Sequence, residues 1–178
     1  MTSLFKRISM ATALGGAAML VLGVVAYAAG ARVNTTRSIP VGLYWVSSEP
    51  VGKGAYVWFC PPAVGVFAEA RSRGYIGAGF CPGGYGYMMK RVLAAKKDMV
   101  TVSLDGVRVN GNLLPLSVPL ETDAAGRPLP RYQASNYTLG DSQVLLMSDV
   151  SATSFDARYF GPVHHSQIKT VIFPVITW

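Results

Sequence analysis

Two residues far apart in the chain are of the types needed for acyl transfer. A serine, Ser38, stands in NTTRSIPVGLYW, and a lysine, Lys90, stands in YGYMMKRVLAA. Pro40 follows Ser38 by two places, and a proline locks its own φ while keeping the residue before it out of the helical region. The Ser38 hydroxyl is therefore presented from an extended, stiffened backbone. Lys90 falls in a run that reads as a strand, where it shares a face with Met88 and Val92 while Arg91 shares the other with Met89. A lysine on an apolar face either snorkels to water or is desolvated. If desolvated, its charged form is disfavoured and it can take a proton from a serine hydroxyl near neutral pH. Other chemistries are poorly supplied. The two histidines, His164 and His165, are adjacent and would face opposite ways on a strand. The two cysteines, Cys60 and Cys81, lack the close spacing of a zinc site. Neither a metal nor an organic cofactor is expected.

The elements that must position this pair are mainly β. AYVWF (residues 55–59) is a β-branched and aromatic run, and TVSLDGVRVNGNLL sets two turn dipeptides, Asp105-Gly106 and Asn110-Gly111, between alternating segments. QVLLMSD and IKTVIFPVI read as later, more buried strands, and a short helix is expected over residues 66–73. The segment 61–86, bracketed by the cysteines, reads as an insertion on the rim of the β domain. PLETDAAGRPLPRYQ (residues 119–133) is a second polar, proline-rich excursion.

Ahead of the β domain, residues 8–30 contain 23 positions without a charge. As a helix they would span roughly 34 Å, enough for a bilayer core. Lys6 and Arg7 precede the run and no acid does, so the N-terminus stays in the cytoplasm and residues 31–178 are exported. A retained anchor is the first reading; AYAAG also offers the small residues of a cleavable signal. In an exported domain Cys60 and Cys81 read first as a disulfide, with two buried thiols as the alternative. The net charge of +7 comes from scattered residues with no basic run interleaved with aromatics, which argues against nucleic acid as a partner.

In order along the chain, SIPVGLYW, GAYVWF, YMMKRVL, DGVRVNG and MSDVSATSFDARYFG resemble the blocks of the type I signal peptidases, which use a Ser/Lys dyad. The likeness implies a signal-peptidase-like β domain behind one N-terminal transmembrane helix. It implies Ser38 as nucleophile and Lys90 as general base, with Ser154 bonded to the lysine amine and Asp156 and Arg158 bracing the site. Thr36, two places before the nucleophile, matches the hydroxyl that helps hold the oxyanion, although Arg37 replaces a small residue there. The serine block is one residue shorter than in general leader peptidases, and Met147-Ser148-Asp149 stands where they carry Gly-Asp-Asn. Those departures resemble the pilin-processing branch of the family found on conjugative plasmids, for which Asp156 would be required for activity. The resemblance implies an enzyme of the bacterial inner membrane with its catalytic domain in the periplasm. It would trim a short C-terminal piece from a pilin precursor and join the new end to the pilin's own N-terminus, beside a mating-pair-formation apparatus. The alternatives are a general leader peptidase cutting many exported precursors, and a non-catalytic envelope component that kept the fold.

Overall fold

The computed structural model describes residues 2–178. It opens with a 27-residue helix, α1 (Thr2–Ala28), whose segment Phe5–Ala28 is long and apolar enough to cross a membrane and buries none of that face against the rest of the chain. At 1.5 Å per residue it is about 40 Å long. The expected apolar run is helical, but the helix takes in Lys6 and Arg7 and stops two residues short of Gly30. Gly30 adopts φ +114° with the Trp45 indole against its Cα, where a Cβ would sit 2.9 Å from Trp45 Nε1. A side chain there would push α1 off the β domain.

The rest is mainly β, as the strand patterns predict. The strands are β1 (Ala31–Asn34), β2 (Gly42–Ser47), β3 (Tyr56–Phe59), β4 (Ala78–Cys81), β5 (Met88–Ala94), β6 (Met99–Ser103), β7 (Gly106–Val109), β8 (Asn112–Leu113), β9 (Ala134–Thr138), β10 (Gln143–Met147), β11 (Val163–His164) and β12 (Ile168–Thr177). Two short helices join them, α2 (Val66–Ser72) and α3 (Ala157–Phe160). One sheet has seven strands in the order β1-β2-β12-β3-β5-β10-β11, and the other has four in the order β8-β7-β6-β9. Both are antiparallel throughout.

Alternation sets the cores. Val100, Val102, Val107 and Val109 point inward from the β6–β7 hairpin and meet Leu145, Met147 and Ala157. A second core gathers Val57, Phe59, Val92 and Leu146 with Phe67 and Ala70 of α2. The Asn110-Gly111 turn is as expected, a two-residue loop between Val109 and Asn112 with φ positive at both positions. The other hairpin is shifted by one: Ser103 pairs with Gly106, so Leu104 and Asp105 form the loop and Gly106 begins β7. The Gly106 Cα lies against the Ser117 hydroxyl, where a Cβ would intrude at 2.8 Å, so this glycine serves close approach rather than the turn.

Cys60 and Cys81 form a disulfide, joining the end of β3 to the end of β4 and closing the segment that carries α2.

Candidate active site

Ser38 sits on the loop between β1 and β2, and three neighbours hold that loop. Asn34, 3% exposed at the end of β1, donates its side-chain amide to the carbonyls of Thr36 (2.7 Å), Ile39 (3.0 Å) and Pro40 (3.0 Å). The Tyr44 hydroxyl donates to the Pro40 carbonyl at 2.6 Å, and burial pushes that phenol up to about 12. The Ile39 side chain is fully buried with Tyr44 and Ile172. Pro40 thus contributes its stiffness and the core supplies the anchor, so Ser38 is raised between two fixed residues.

Lys90 lies in β5, opposite Val57 of β3 and on the same inward face as Val92 and Ala94. Only 2% of its surface is exposed. Its Nζ donates to Ser38 Oγ at 2.6 Å and to Ser154 Oγ at 2.8 Å, and the two serine oxygens are 3.5 Å apart. Burial lowers the amine's pKa to about 8; the Asp156 carboxylate opposes that shift and the Arg158 guanidinium adds to it. In its neutral form such an amine keeps Ser154 as an acceptor for one N–H and turns its lone pair to the Ser38 hydroxyl. This geometry can move a proton from the serine to the lysine.

Ser154, Asp156 and Arg158 form the layer behind the lysine. Arg158 is fully buried, with Nε donating to Asp156 Oδ1 at 2.8 Å and Nη2 to Asp156 Oδ2 at 2.9 Å. Its remaining hydrogens go to the carbonyls of Ser154 (2.8 Å), Ala152 (2.7 Å) and Leu116 (2.9 Å) among others. Asp156 also caps α3 through the Arg158 backbone N–H and accepts the Ser148 N–H at 3.1 Å. The carboxylate is fully buried, both its oxygens are occupied, and it does not line the cleft that holds Ser38 and Lys90. Asp156, which the family likeness makes a residue required for activity, therefore reaches the Ser38–Lys90 pair only by way of Arg158 and Ser154.

Thr36 does border the cleft, but its hydroxyl and its backbone N–H both donate to Asn34 Oδ1, at 3.0 and 3.1 Å. The Ser38 backbone N–H has no partner among the described residues. His164 and His165 lie outside the cleft, where the His164 ring closes a short turn with Ser166 and Gln167.

The cleft has a volume of about 590 Å³; of the two excursions expected on the surface, the disulfide-closed segment lines it and 119–133 braces that segment from outside. Tyr75, Ile76 and Gly77, from the disulfide-closed segment, form one wall. The Tyr75 hydroxyl donates to Asp123, which also accepts the backbone N–H groups of Ala125 and Arg127 (both 2.9 Å). Leu116 and Val118 are held by Arg158, and the Leu120 N–H by the Tyr159 hydroxyl. The 119–133 excursion is thereby tied to both the cleft wall and the layer behind Lys90. Asn34, Tyr44, Tyr75 and Asp123 are the positioning residues that sequence reasoning missed. Only Asn34 left a signal, as an Asx residue opening a polar turn.

Residues 1–177 match the family described as "Signal peptidase, peptidase S26". A plasmid transfer protein TraF of Escherichia coli is 71% identical over 178 residues, covering 100% of both chains. A conjugal transfer protein TraF of Agrobacterium tumefaciens (strain 15955) is 38% identical over 169 residues, covering 93% of this chain and 94% of its own. Among solved structures, a signal peptidase I from Enterococcus faecalis V583 covers 71% of this chain and 100% of its own at 18% identity and a TM-score of 0.41, a likeness too slight to argue from.

Proposed function

Because the chain belongs to the peptidase S26 family of signal peptidases, a serine peptidase class, we propose that it is a Ser/Lys-dyad peptidase that processes a conjugative pilin precursor. The observation that carries the reading is the 2.6 Å contact between the Lys90 amine and the Ser38 hydroxyl, made by a lysine that is almost wholly out of water. The name TraF, borne by its high-identity relatives, supports conjugation as the context.

In this mechanism neutral Lys90 takes the Ser38 Oγ proton as the oxygen attacks the scissile carbonyl. The Ser38 N–H receives the developing oxyanion. Thr36 joins it only by releasing Asn34. Collapse breaks the C–N bond, and the Lys90 ammonium returns the proton to the leaving amine, which departs with the short C-terminal peptide. The acyl-enzyme ester then partitions. Water gives a linear trimmed chain, whereas the pilin's own N-terminal amine gives a ring, since the ester retains the free energy of the broken peptide bond. Lys90, neutral again, accepts the proton that the incoming amine sheds. The apolar wall of Ile76, Tyr87, Met88 and Phe155 favours the amine by limiting water at the ester.

Ser154 and the Asp156–Arg158 pair act as positioning residues. Residues 1–30 serve as a retained inner-membrane anchor, and residues 31–178, with an insertion at 61–86, as a periplasmic domain. Ser38 follows the last helical residue by only ten positions, which puts the reaction near the outer bilayer surface.

The test is mass spectrometry of pilin precursor co-expressed with the full chain. The wild type should yield a product lighter than the linear trimmed chain by one water. Ser38→Ala and Lys90→Arg should both leave the precursor intact, since a guanidinium does not give up its proton at working pH. Processing by Ser38→Ala, or an intact precursor with the wild type, refutes the reading.

A further inference from the structure

The cleft is more positive than a Ser/Lys dyad requires. Arg32, Arg37 and Lys90 border it, and no aspartate or glutamate among the described residues does. The Arg32 guanidinium lies over the Tyr27 ring at 4.0 Å and the Trp58 ring at 4.6 Å. Its Nη1 donates to the carbonyls of Tyr27 (2.7 Å) and Ala31 (2.8 Å). Those contacts orient the group without neutralising it. Its Nε is buried and has no hydrogen-bond partner. Arg37, immediately before Ser38, is exposed and forms no ion pair among the described residues. The nearby acids are already engaged, Asp149 with Arg91 and Asp156 with Arg158.

A guanidinium held flat on a cleft wall, with no acid paired to it, is a receptor for a planar anion, and its fork matches a carboxylate. Building on the pilin reading, we propose that Arg32 and Arg37 bind the free α-carboxylate of the substrate. The site would then select chains that end shortly beyond the scissile bond. A long exported precursor cut near its N-terminus offers only neutral amides at that position, so it would leave both arginines unsatisfied. On this reading the substitution of Arg37 for a small residue is a specificity device, and the enzyme measures its distance from a chain end. Arg32 also lies only four residues past the membrane helix, where a phospholipid phosphate is the competing anion. The place of Arg32 on the wall of the same cleft as Ser38 favours the peptide.

The test uses full-length Ser38→Ala protein in detergent, which separates recognition from cleavage. Two fluorescent peptides carry the C-terminal sequence of the pilin precursor, one with a free carboxylate and one amidated. A charge-assisted hydrogen bond of ordinary strength predicts that the acid binds roughly tenfold tighter. Adding Arg32→Gln and Arg37→Gln should bring the two affinities to within about twofold of each other. Equal affinities in the parent, or an acid preference that survives both substitutions, overturn the proposal. So does a pair of substitutions whose only effect is weaker binding to phosphatidylglycerol vesicles, which would assign the arginines to the lipid surface. If neither peptide binds and pilin passes the wild type unprocessed, the pilin reading itself fails and this inference goes with it.

Discussion

Replacing Lys90 with methionine should abolish cleavage yet stabilise the protein at neutral pH. The amine titrates near 8, against 10.5 for an unburied lysine, because burial disfavours its charge. At about 1.4 kcal/mol per pKa unit, holding the proton in the folded state costs about 3 kcal/mol relative to water. Both folded and unfolded states carry that proton below pH 8, so the cost is fully present at pH 7. Between pH 8 and 10.5 the folded state has lost the proton while the unfolded state still holds it, so stability rises with pH across that window. Methionine fills a similar volume and removes the charge. Against that gain stand the two hydrogen bonds to Ser38 and Ser154, each worth about 1 kcal/mol net. The balance is a stabilisation of about 1 kcal/mol at pH 7 that falls to zero near pH 9 and becomes a destabilisation of about 1 kcal/mol at pH 10. Urea denaturation of wild type and variant at these pH values measures it. A loss of more than about 2 kcal/mol at pH 7 would mean that the charged amine is well compensated where it lies, and the burial argument would fail.

On the proposed mechanism the same amine sets the pH dependence of catalysis. The free enzyme needs Lys90 neutral, so kcat/KM should climb about tenfold per pH unit up to pH 7 and level off above pH 9, with its midpoint near 8. A midpoint near 10.5, or a flat profile from pH 6 to 9, would remove Lys90 as the base.

Three further outcomes follow from the surroundings of the dyad. Cys60→Ser with Cys81→Ser should cost about 2 to 4 kcal/mol in a thermal melt; because the closed segment carries the Tyr75–Gly77 wall, KM should rise while kcat for bound substrate stays within about threefold. Tyr75→Phe and Asp123→Asn should each raise KM with little change in the pH midpoint, since they hold the wall and not the amine; an unchanged KM in both would reduce the 119–133 excursion to decoration. Asp156→Asn should destabilise the fold by about 3 to 5 kcal/mol by leaving the Arg158 charge buried and alone, and should move the midpoint of kcat/KM to lower pH, because the carboxylate that favours the lysine's charge is gone.

Legibility from the sequence followed the range of the determining interaction. Lys90 was readable because strand alternation is local: three residues suffice to put it on the face of Val92. Ser38 was readable because Pro40 restricts the chain beside it. The Asn110-Gly111 turn was readable for the same reason, while Asp105-Gly106 misled by one residue. There the glycine answers to Ser117, eleven positions away, which no dipeptide rule contains. That one excursion would wall the cleft and the other brace that wall was illegible. Their sequence reads as surface loop, and the contacts that recruit them, Tyr75 to Asp123 and Leu120 to Tyr159, span 48 and 39 residues.

Asp156 is where motif and geometry part most usefully. A carboxylate required for activity invites a role in deprotonating the amine that closes the ring, and that role needs a lone pair within reach of the cleft. Here every approach is taken: Arg158 holds both oxygens from one side, and the backbone N–H groups of Ser148 and Arg158 hold them from the other. To meet an incoming amine the carboxylate would have to abandon a fully buried guanidinium, at a cost larger than the few kcal/mol a general base contributes. On the proposed mechanism ring closure is then decided after the ester forms, by whether the amine or water reaches it first, with Lys90 serving either nucleophile. Loss of the Asp156 charge should accordingly lower linear and cyclic products in the same proportion. A variant that accumulates trimmed linear pilin while acylating normally would return Asp156 to the reaction and show that the buried pair opens during turnover.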